Sequence, residues 1–505
     1  MSAIELTDGY KLDHRRQYPE GTEDVYSTWI PRSNRYFPEA KDGVVVFGIQ
    51  YLTTELENKF LQFFKTPLDK VLENWTSRIN GFLGPDNKVG QEHIKELHDL
   101  GYLPIEIKAL KEGTICPIGV PALTIHATDK RFFWLTNYLE TYISMILWLP
   151  MTSATTARLY KKELVRHANH TGWSKEEMDN IPFLCHDFSM RGMAGLDAAI
   201  TSGMGHLTSF IGSETIPAIS ASEYYYNAKG LVAATIPATE HSVMCAGGMQ
   251  DEFGTFKRLI TEVYPKGFVS IVSDTWDYWK VITEYLPALK DTILNREGRV
   301  VIRPDSGDPV DIICGTKPSK NLYKSASGNI INIPEENEGT PEELGTYEML
   351  WKIFGGTINK QGYKVLHPNI GIIYGDSITL ERQTEIYKRL EAKGFAATNL
   401  VLGIGSFTYQ YRTRDSLGFA MKATSCVING ERREIFKDPK TDDGVKKSLK
   451  GLCMVYENPE GKVVVRDQVS EKDESSGLLE RVFFNGIRTT SLTLEDIRNN
   501  LNNTI

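Results

Sequence analysis

The sequence specifies an α/β protein, an α/β barrel with a second α+β domain built from the N-terminal and C-terminal segments. Three observations point there. VVIRPDSGDP (300–309) runs apolar, β-branched residues into an arginine and a Pro-Asp-Ser-Gly turn, so a buried strand ends by displaying Arg303 and Asp305 side by side. The same pattern recurs at FLCHDFSMRG (183–192), FVSIVSDTWD (268–277), IGIIYGDS (370–377) and LVLGIGSFTYQ (400–410). Helical periodicity fills the intervals. Successive strand ends facing one way, separated by amphipathic helices, describe a barrel whose site is assembled from its βα loops.

Residues 1–150 read as the first α+β domain. VVVFGIQYL (44–52) and LPIEIKAL (103–110) read as strands, and ICPIGVPALTIHA (115–127) as a strand pair split by a Gly/Pro turn. FFWLTNYLETYISMILWL (132–149) reads as a long buried helix ended by Pro150. Strand-and-helix alternation occupies 151–415, interrupted by a polar, Gly/Pro/Asn/Ser-rich run at 315–345 that reads as a surface insertion. From 416 to 505 the pattern returns to short strands, GFAMKATSCVING (418–430) and KVVVRD (462–467). The chain closes with a helix in 491–503 that Thr493 caps, and this tail is expected to pack back on the first domain.

At 505 residues the chain is too long for one simple core. A net charge of -8 argues against non-specific nucleic-acid binding, because no broad positive surface is available to neutralise phosphates. Six scattered cysteines, without CxxC pairs, read as reduced thiols. The first twenty residues lack an apolar core, and the longest apolar run, 142–150, is far shorter than the roughly 20 residues of a membrane span. A cytoplasmic location without membrane association is the expectation.

Several enzyme templates are absent: no GxxxxGK(S/T) loop, no HExxH, no GxSxG elbow, and only a lone GxG at 403–405. What remains is carboxylates, arginines, one histidine and small residues at strand ends, a set suited to a phosphorylated sugar. A barrel lyase or aldolase would need a Schiff-base lysine or a metal cluster at a strand end, and neither is evident. A non-catalytic nucleotide-binding protein stays open.

Ten motifs, in order along the chain, then carry a resemblance. They are TDGYK (7–11), LPIEIKA (103–109), WLTNYLET (134–141), HDFSMRG (186–192), PATEHS (237–242), VSDTWD (272–277), RPDSGDP (303–309), YGD (374–376), QYRTRD (410–415) and FKDP (436–439). Together they resemble the motif series of nicotinamide phosphoribosyltransferases. The resemblance implies a two-domain type II phosphoribosyltransferase fold with an irregular α/β barrel, and a homodimer whose shared active sites lie at the subunit interface. It also implies transfer of phosphoribose from phosphoribosyl pyrophosphate to nicotinamide, giving nicotinamide mononucleotide and pyrophosphate, with Mg2+. A nicotinate phosphoribosyltransferase is the nearest rival.

The roles that follow are those the resemblance implies. Asp305 and Asp376 face the ribose and its developing positive charge, with Gly375 allowing close backbone approach; as alternatives, Asp305 initiates the turn and Asp376 caps the next helix. Arg191 and Arg303 grip pyrophosphate or phosphate oxygens, the alternative for each being an ion pair. Gly405, Ser406 and Arg414 cradle the 5′-phosphate, Ser406 standing where glycine is found in relatives. Phe188 stacks on one face of the pyridine ring, and Tyr10 of the partner subunit on the other. Glu214 stands where some nicotinamide enzymes carry aspartate. It accepts from the carboxamide and repels a carboxylate, and Ser270 adds a hydrogen bond. His241 is phosphorylated by ATP, coupling hydrolysis to synthesis; the alternative is a neutral histidine near a helix start. No metal ligands are assigned.

Overall fold

The computed structural model describes residues 2–317, 322–324, 330–332, 338–437 and 448–505. The chain forms two compact units. One comprises Met1–Thr155, Ser220–Lys229 and Arg412–Thr504; the other comprises Thr156–Ile219 and Gly230–Tyr411, joined by the terminal Ile505. Of the polar run at 315–345, residues 318–321, 325–329 and 333–337 lie outside the described set, as do the last two residues of the FKDP motif.

The first unit is built on a seven-stranded sheet. Its order is Glu431–Glu434, Phe419–Ile428, Thr22–Pro31, Leu123–Ala127, Ile105–Ala109, Glu480–Phe484 and Ile487–Arg488, antiparallel at each pairing. Two expectations fail here. Within 44–52 only Val44–Val45 is a strand. Gly48 adopts φ 93°, which breaks the extended run, and the helix Ile49–Lys65 begins directly after it. Nor does Pro150 end its helix, which runs from Glu140 to Thr171 with the proline inside. The ring packs over Gly48, where a Cβ would come within 2.8 Å of Pro150 Cγ. Burial of the surrounding turns, at Leu147, Leu149, Met151 and Ala154, outweighs the single lost backbone hydrogen bond.

The second unit contains a five-stranded, wholly parallel sheet in the order Cys185–Asp187, Leu400–Ile404, Ile370–Tyr374, Val300–Arg303, Val269–Val272. Its strands are short and mostly buried on both faces, as parallel strands covered by helices must be. The sheet's two edges are joined through irregular segments. Parallel bridges link Asp187 to Ser213, Gly212 to Ala234, and Ala238 to Ser270. This ring of strands and bridges is the irregular barrel, and one hydrophobic core with Ile302, Ile372, Tyr374 and Leu402 runs through it. Each strand stops where its sequence changes character. Val300–Arg303 stops at Pro304, which has no N–H to continue a ladder, and Gly307 at φ 89° turns the chain toward the helix Pro309–Cys314.

Candidate active site

The barrel unit encloses a cavity of about 1790 Å³ that reaches both ends of the sheet. At the ends where the strands begin it is lined by Phe268, Arg299, Pro368 and Asn399; at the opposite ends it is lined by Arg303, Asp305 and Gly375. Every candidate residue of this unit lines it except His241, which stands at its rim beside Asp305. Tyr10 and Arg414 belong to the other unit. Tyr10 is 65% exposed on the short helix Gly9–Asp13. Burial depresses the Lys422 ammonium and Glu140 opposes this, while Arg32, Lys437 and Arg414 add to the depression; Arg414 itself pairs with Asp415 at 3.1 Å.

The rim is a network of opposite charges. Arg303 donates through Nη2 to Asp305 Oδ2 at 3.3 Å. His241 Nε2 lies 3.9 Å from that oxygen and 3.8 Å from Asp274 Oδ1. Burial holds the Asp305 carboxyl above its ordinary range and Asp274 adds to this, while Arg303 and His241 pull it down. His241 is the first residue of the helix His241–Gly247 and its side chain is 48% exposed, open to an incoming group.

The capping alternative for Asp376 is filled by another residue, and the helix that follows Asp305 also has a cap of its own. The helix after Asp305 is capped by Asp308, which accepts from the N–H groups of Val310 and Asp311. The helix after Asp376, Leu380–Ala392, is capped by Thr379. Asp305 and Asp376 both line the cavity, and Asp376 Oδ2 accepts from the Ser377 hydroxyl at 2.7 Å. Arg191 makes no ion pair among the described residues and also lines the cavity.

Two glycines set the position of Phe188. A Cβ on Gly403 would fall 2.4 Å from Phe188 Cδ2, and one on Gly375 would fall 2.9 Å from Asp305 Oδ1 and 3.4 Å from Phe188 Cε2. Only bare backbone lets ring and carboxylate come together here. Gly405 has open space around it, and Ser406 starts the short helix Ser406–Tyr409 with its Oγ against Gly192. Ser270 is buried in the wall and its hydroxyl has no hydrogen-bond partner among the described residues, while the exposed Glu214 accepts from the hydroxyl of the equally exposed Thr235. An unmatched buried hydroxyl beside a cavity is a feature a ligand can satisfy.

Residues 183–486 match the nicotinate phosphoribosyltransferase (NAPRTase) family, and residues 2–107 match the nicotinamide phosphoribosyltransferase N-terminal domain. A nicotinamide phosphoribosyltransferase of Acinetobacter baylyi is 48% identical over 99% of this chain and 97% of its own length. The chain belongs to the nicotinate phosphoribosyltransferase family. Another relative, the nicotinamide phosphoribosyltransferase of Mycoplasma pneumoniae, is 34% identical over 90% of this chain and 94% of its own. Among solved structures, a nicotinate-nucleotide pyrophosphorylase from Pyrococcus furiosus aligns over 99% of this chain and 95% of its own, with a TM-score of 0.56 at 15% identity. That likeness concerns the fold, which is of the type II phosphoribosyltransferase kind.

For this phosphoribosyltransferase, sequence reasoning missed four residues of the site. Asp274 lay within the quoted VSDTWD motif without a role, yet its side chain is only 3% exposed and its Oδ2 accepts from the Asp305 N–H at 3.0 Å and the Ser306 hydroxyl at 2.6 Å. His186 lines the cavity, and burial, with His206 nearby, keeps its pKa down at about 4, so it is neutral at physiological pH. Thr235 gave no signal, and Gly403 entered only as the first residue of the lone GxG at 403–405, a pattern that says nothing of its packing against Phe188.

Proposed function

We propose that this enzyme transfers the phosphoribosyl group of phosphoribosyl pyrophosphate to nicotinamide, forming nicotinamide mononucleotide and pyrophosphate in NAD salvage. The observation that carries this reading is the pairing, in one cavity, of an acceptor-only carboxylate and an unmatched hydroxyl with a charged rim. Glu214 and Ser270 offer the carboxamide an acceptor and a hydroxyl, and Arg303 and Asp305 stand where a sugar phosphate would sit.

In this reading the pyridine ring rests against Phe188. Its nitrogen attacks the anomeric carbon as the bond to pyrophosphate breaks. Asp305 and Asp376 stabilise the oxocarbenium-like centre, and Arg191 and Arg303 take the charge of the leaving group. Gly405 and Ser406, with Arg414, hold the 5′-phosphate, and Tyr10 of the partner subunit in a cytoplasmic homodimer covers the second ring face. Among the described residues no three His, Cys, Asp or Glu side chains form a metal cage. That suits Mg2+, which keeps several waters and is held largely through substrate phosphates with one or two carboxylates; Asp305 and Asp376 would supply these. Bound there, the ion would neutralise pyrophosphate charge. His241, exposed and flanked by two carboxylates, is the proposed acceptor of a phosphoryl group from ATP.

Nicotinate is the second reading, favoured by the family description covering 183–486; the carboxylate of Glu214 opposes it by charge repulsion. The test is product formation from phosphoribosyl pyrophosphate and Mg2+, with and without ATP, with nicotinamide and nicotinate in competition. Preferential formation of nicotinamide mononucleotide is expected. Parity, or a nicotinate product, would refute the assignment of Glu214.

A further inference from the structure

Glutamate reaches one methylene further than aspartate, and a long carboxylate free in a cavity would sample several positions at a cost in ordering whenever a ligand binds. In this barrel it is tethered. Thr235 donates its hydroxyl hydrogen to Glu214 Oε1, while its other acceptor, Ile236 O, is at 3.5 Å. The tether is anchored in the barrel wall. Ser213 N–H donates to Ala234 O at 3.1 Å, Ala234 N–H donates to Ile211 O at 2.9 Å, and Glu214 N–H donates to Asp187 O at 2.9 Å. The parallel bridge between Gly212 and Ala234 therefore carries Glu214 and Thr235 side by side into the cavity that both line. Thr235 is β-branched, so its own χ1 is restricted. Glu214 Oε2 has no hydrogen-bond partner among the described residues.

We infer that Thr235 is a specificity-determining positioning residue: by occupying Oε1 it presents Oε2 as a single oriented acceptor to the amide of the base. The inference rests on the reading of Glu214 as the group that meets the carboxamide. A hydroxyl has one hydrogen to give. Committed to Glu214, that hydrogen is withheld from a carboxylate ligand, so the same contact strengthens the amide and disfavours the acid.

The test is steady-state kinetics of the full-length enzyme at saturating phosphoribosyl pyrophosphate, with nicotinamide as varied acceptor and nicotinate as competitor, for wild type, Thr235→Val, Thr235→Ser and Glu214→Gln. Thr235→Val is expected to raise KM for nicotinamide about five- to tenfold with kcat changed less than about twofold, and to narrow the preference over nicotinate. Thr235→Ser, which keeps the hydroxyl, is expected to stay within about twofold of wild type. If Glu214→Gln loses the preference while Thr235→Val keeps wild-type KM and preference, the inference is overturned and the reading of Glu214 stands. If Glu214→Gln keeps full preference, that reading fails and Thr235 falls with it. Equal losses for both bases in Thr235→Val and Thr235→Ser would indicate a structural role alone and overturn the inference too.

Discussion

Asp274 holds Asp305 by the backbone: its Oδ2 accepts the Asp305 N–H at 3.0 Å, and its Oδ1, buried without a hydrogen-bond partner among the described residues, faces His241 Nε2 at 3.8 Å. One carboxylate thus holds the proposed ribose-facing group and lies beside the proposed phosphoryl acceptor. Asp274→Asn keeps the size and removes the charge. Transfer is expected to slow at least about tenfold, on the order of 1.4 kcal/mol in the barrier, with loss of ATP stimulation. His241→Ala is expected to lose the stimulation and keep some basal transfer. Initial rates with and without ATP decide both, and undiminished stimulation in either variant would count against the coupling role.

Gly403→Ala tests the packing beneath Phe188. The new methyl would fall 2.4 Å from Phe188 Cδ2 and 2.8 Å from the Gly375 backbone, so the ring must move. Overpacking of this kind costs about 1–3 kcal/mol. A lower Tm and a raised KM for the base are expected, and an unchanged KM would show that Phe188 does not meet the base.

Glu112 is a buried helix cap in the first unit. Its carboxylate accepts from the N–H groups of Gly48 (2.6 Å), Ile49 (3.0 Å) and Gln50 (3.1 Å) and from the Tyr226 hydroxyl (2.9 Å). Burial pushes its pKa up to about 7, against the pull of these donors. Glu112→Ala would orphan four donors at about 1–3 kcal/mol each. A destabilisation of at least about 3 kcal/mol in urea unfolding is expected; less than about 1 kcal/mol would mean that water replaces the cap.

The same unit predicts a pH dependence. Burial pulls His126 down, but the Asp24 carboxylate, 3.7 Å from Nδ1, and a 3.0 Å hydrogen bond with Glu106 outweigh it and hold its pKa up at about 9. Burial likewise opposes the low value of Glu106, which hydrogen bonds from His126 and Arg481 bring to about 2. The His126 contribution is complete below its ordinary pKa of 6.5 and is lost as pH rises through about 9. The Glu106 contribution is complete above its ordinary 4.5 and is lost as pH falls through about 2. Replacing His126 with Gln should flatten the decline in stability between pH 6.5 and 9, measured by urea midpoints. An identical slope in the variant would refute this.

The strands of the barrel were legible because their signal is local. Val300–Arg303 and Ile370–Tyr374 are β-branched, apolar runs, and each ends at a charged or small residue that cannot stay buried. The resemblance to phosphoribosyltransferases was legible for a similar reason, since motifs such as RPDSGDP and PATEHS are contiguous in the chain. Where local reading failed, a non-local contact had the larger energy. Pro150 suggests a break, and burial of the turns around it, with its ring packed over Gly48, explains why the helix continues.

Composition and pattern by themselves determined the α/β class, the polarity of the strands and the residue types available for phosphate and sugar. Tertiary structure alone decided that Asp274 supports Asp305, that Thr235 tethers Glu214, and that Gly403 makes room for Phe188. The physical reason is distance along the chain. Each of these relationships joins residues from separate segments of the barrel wall, and the hydrogen bond or close contact between them exists only once the barrel has closed and fixed its register.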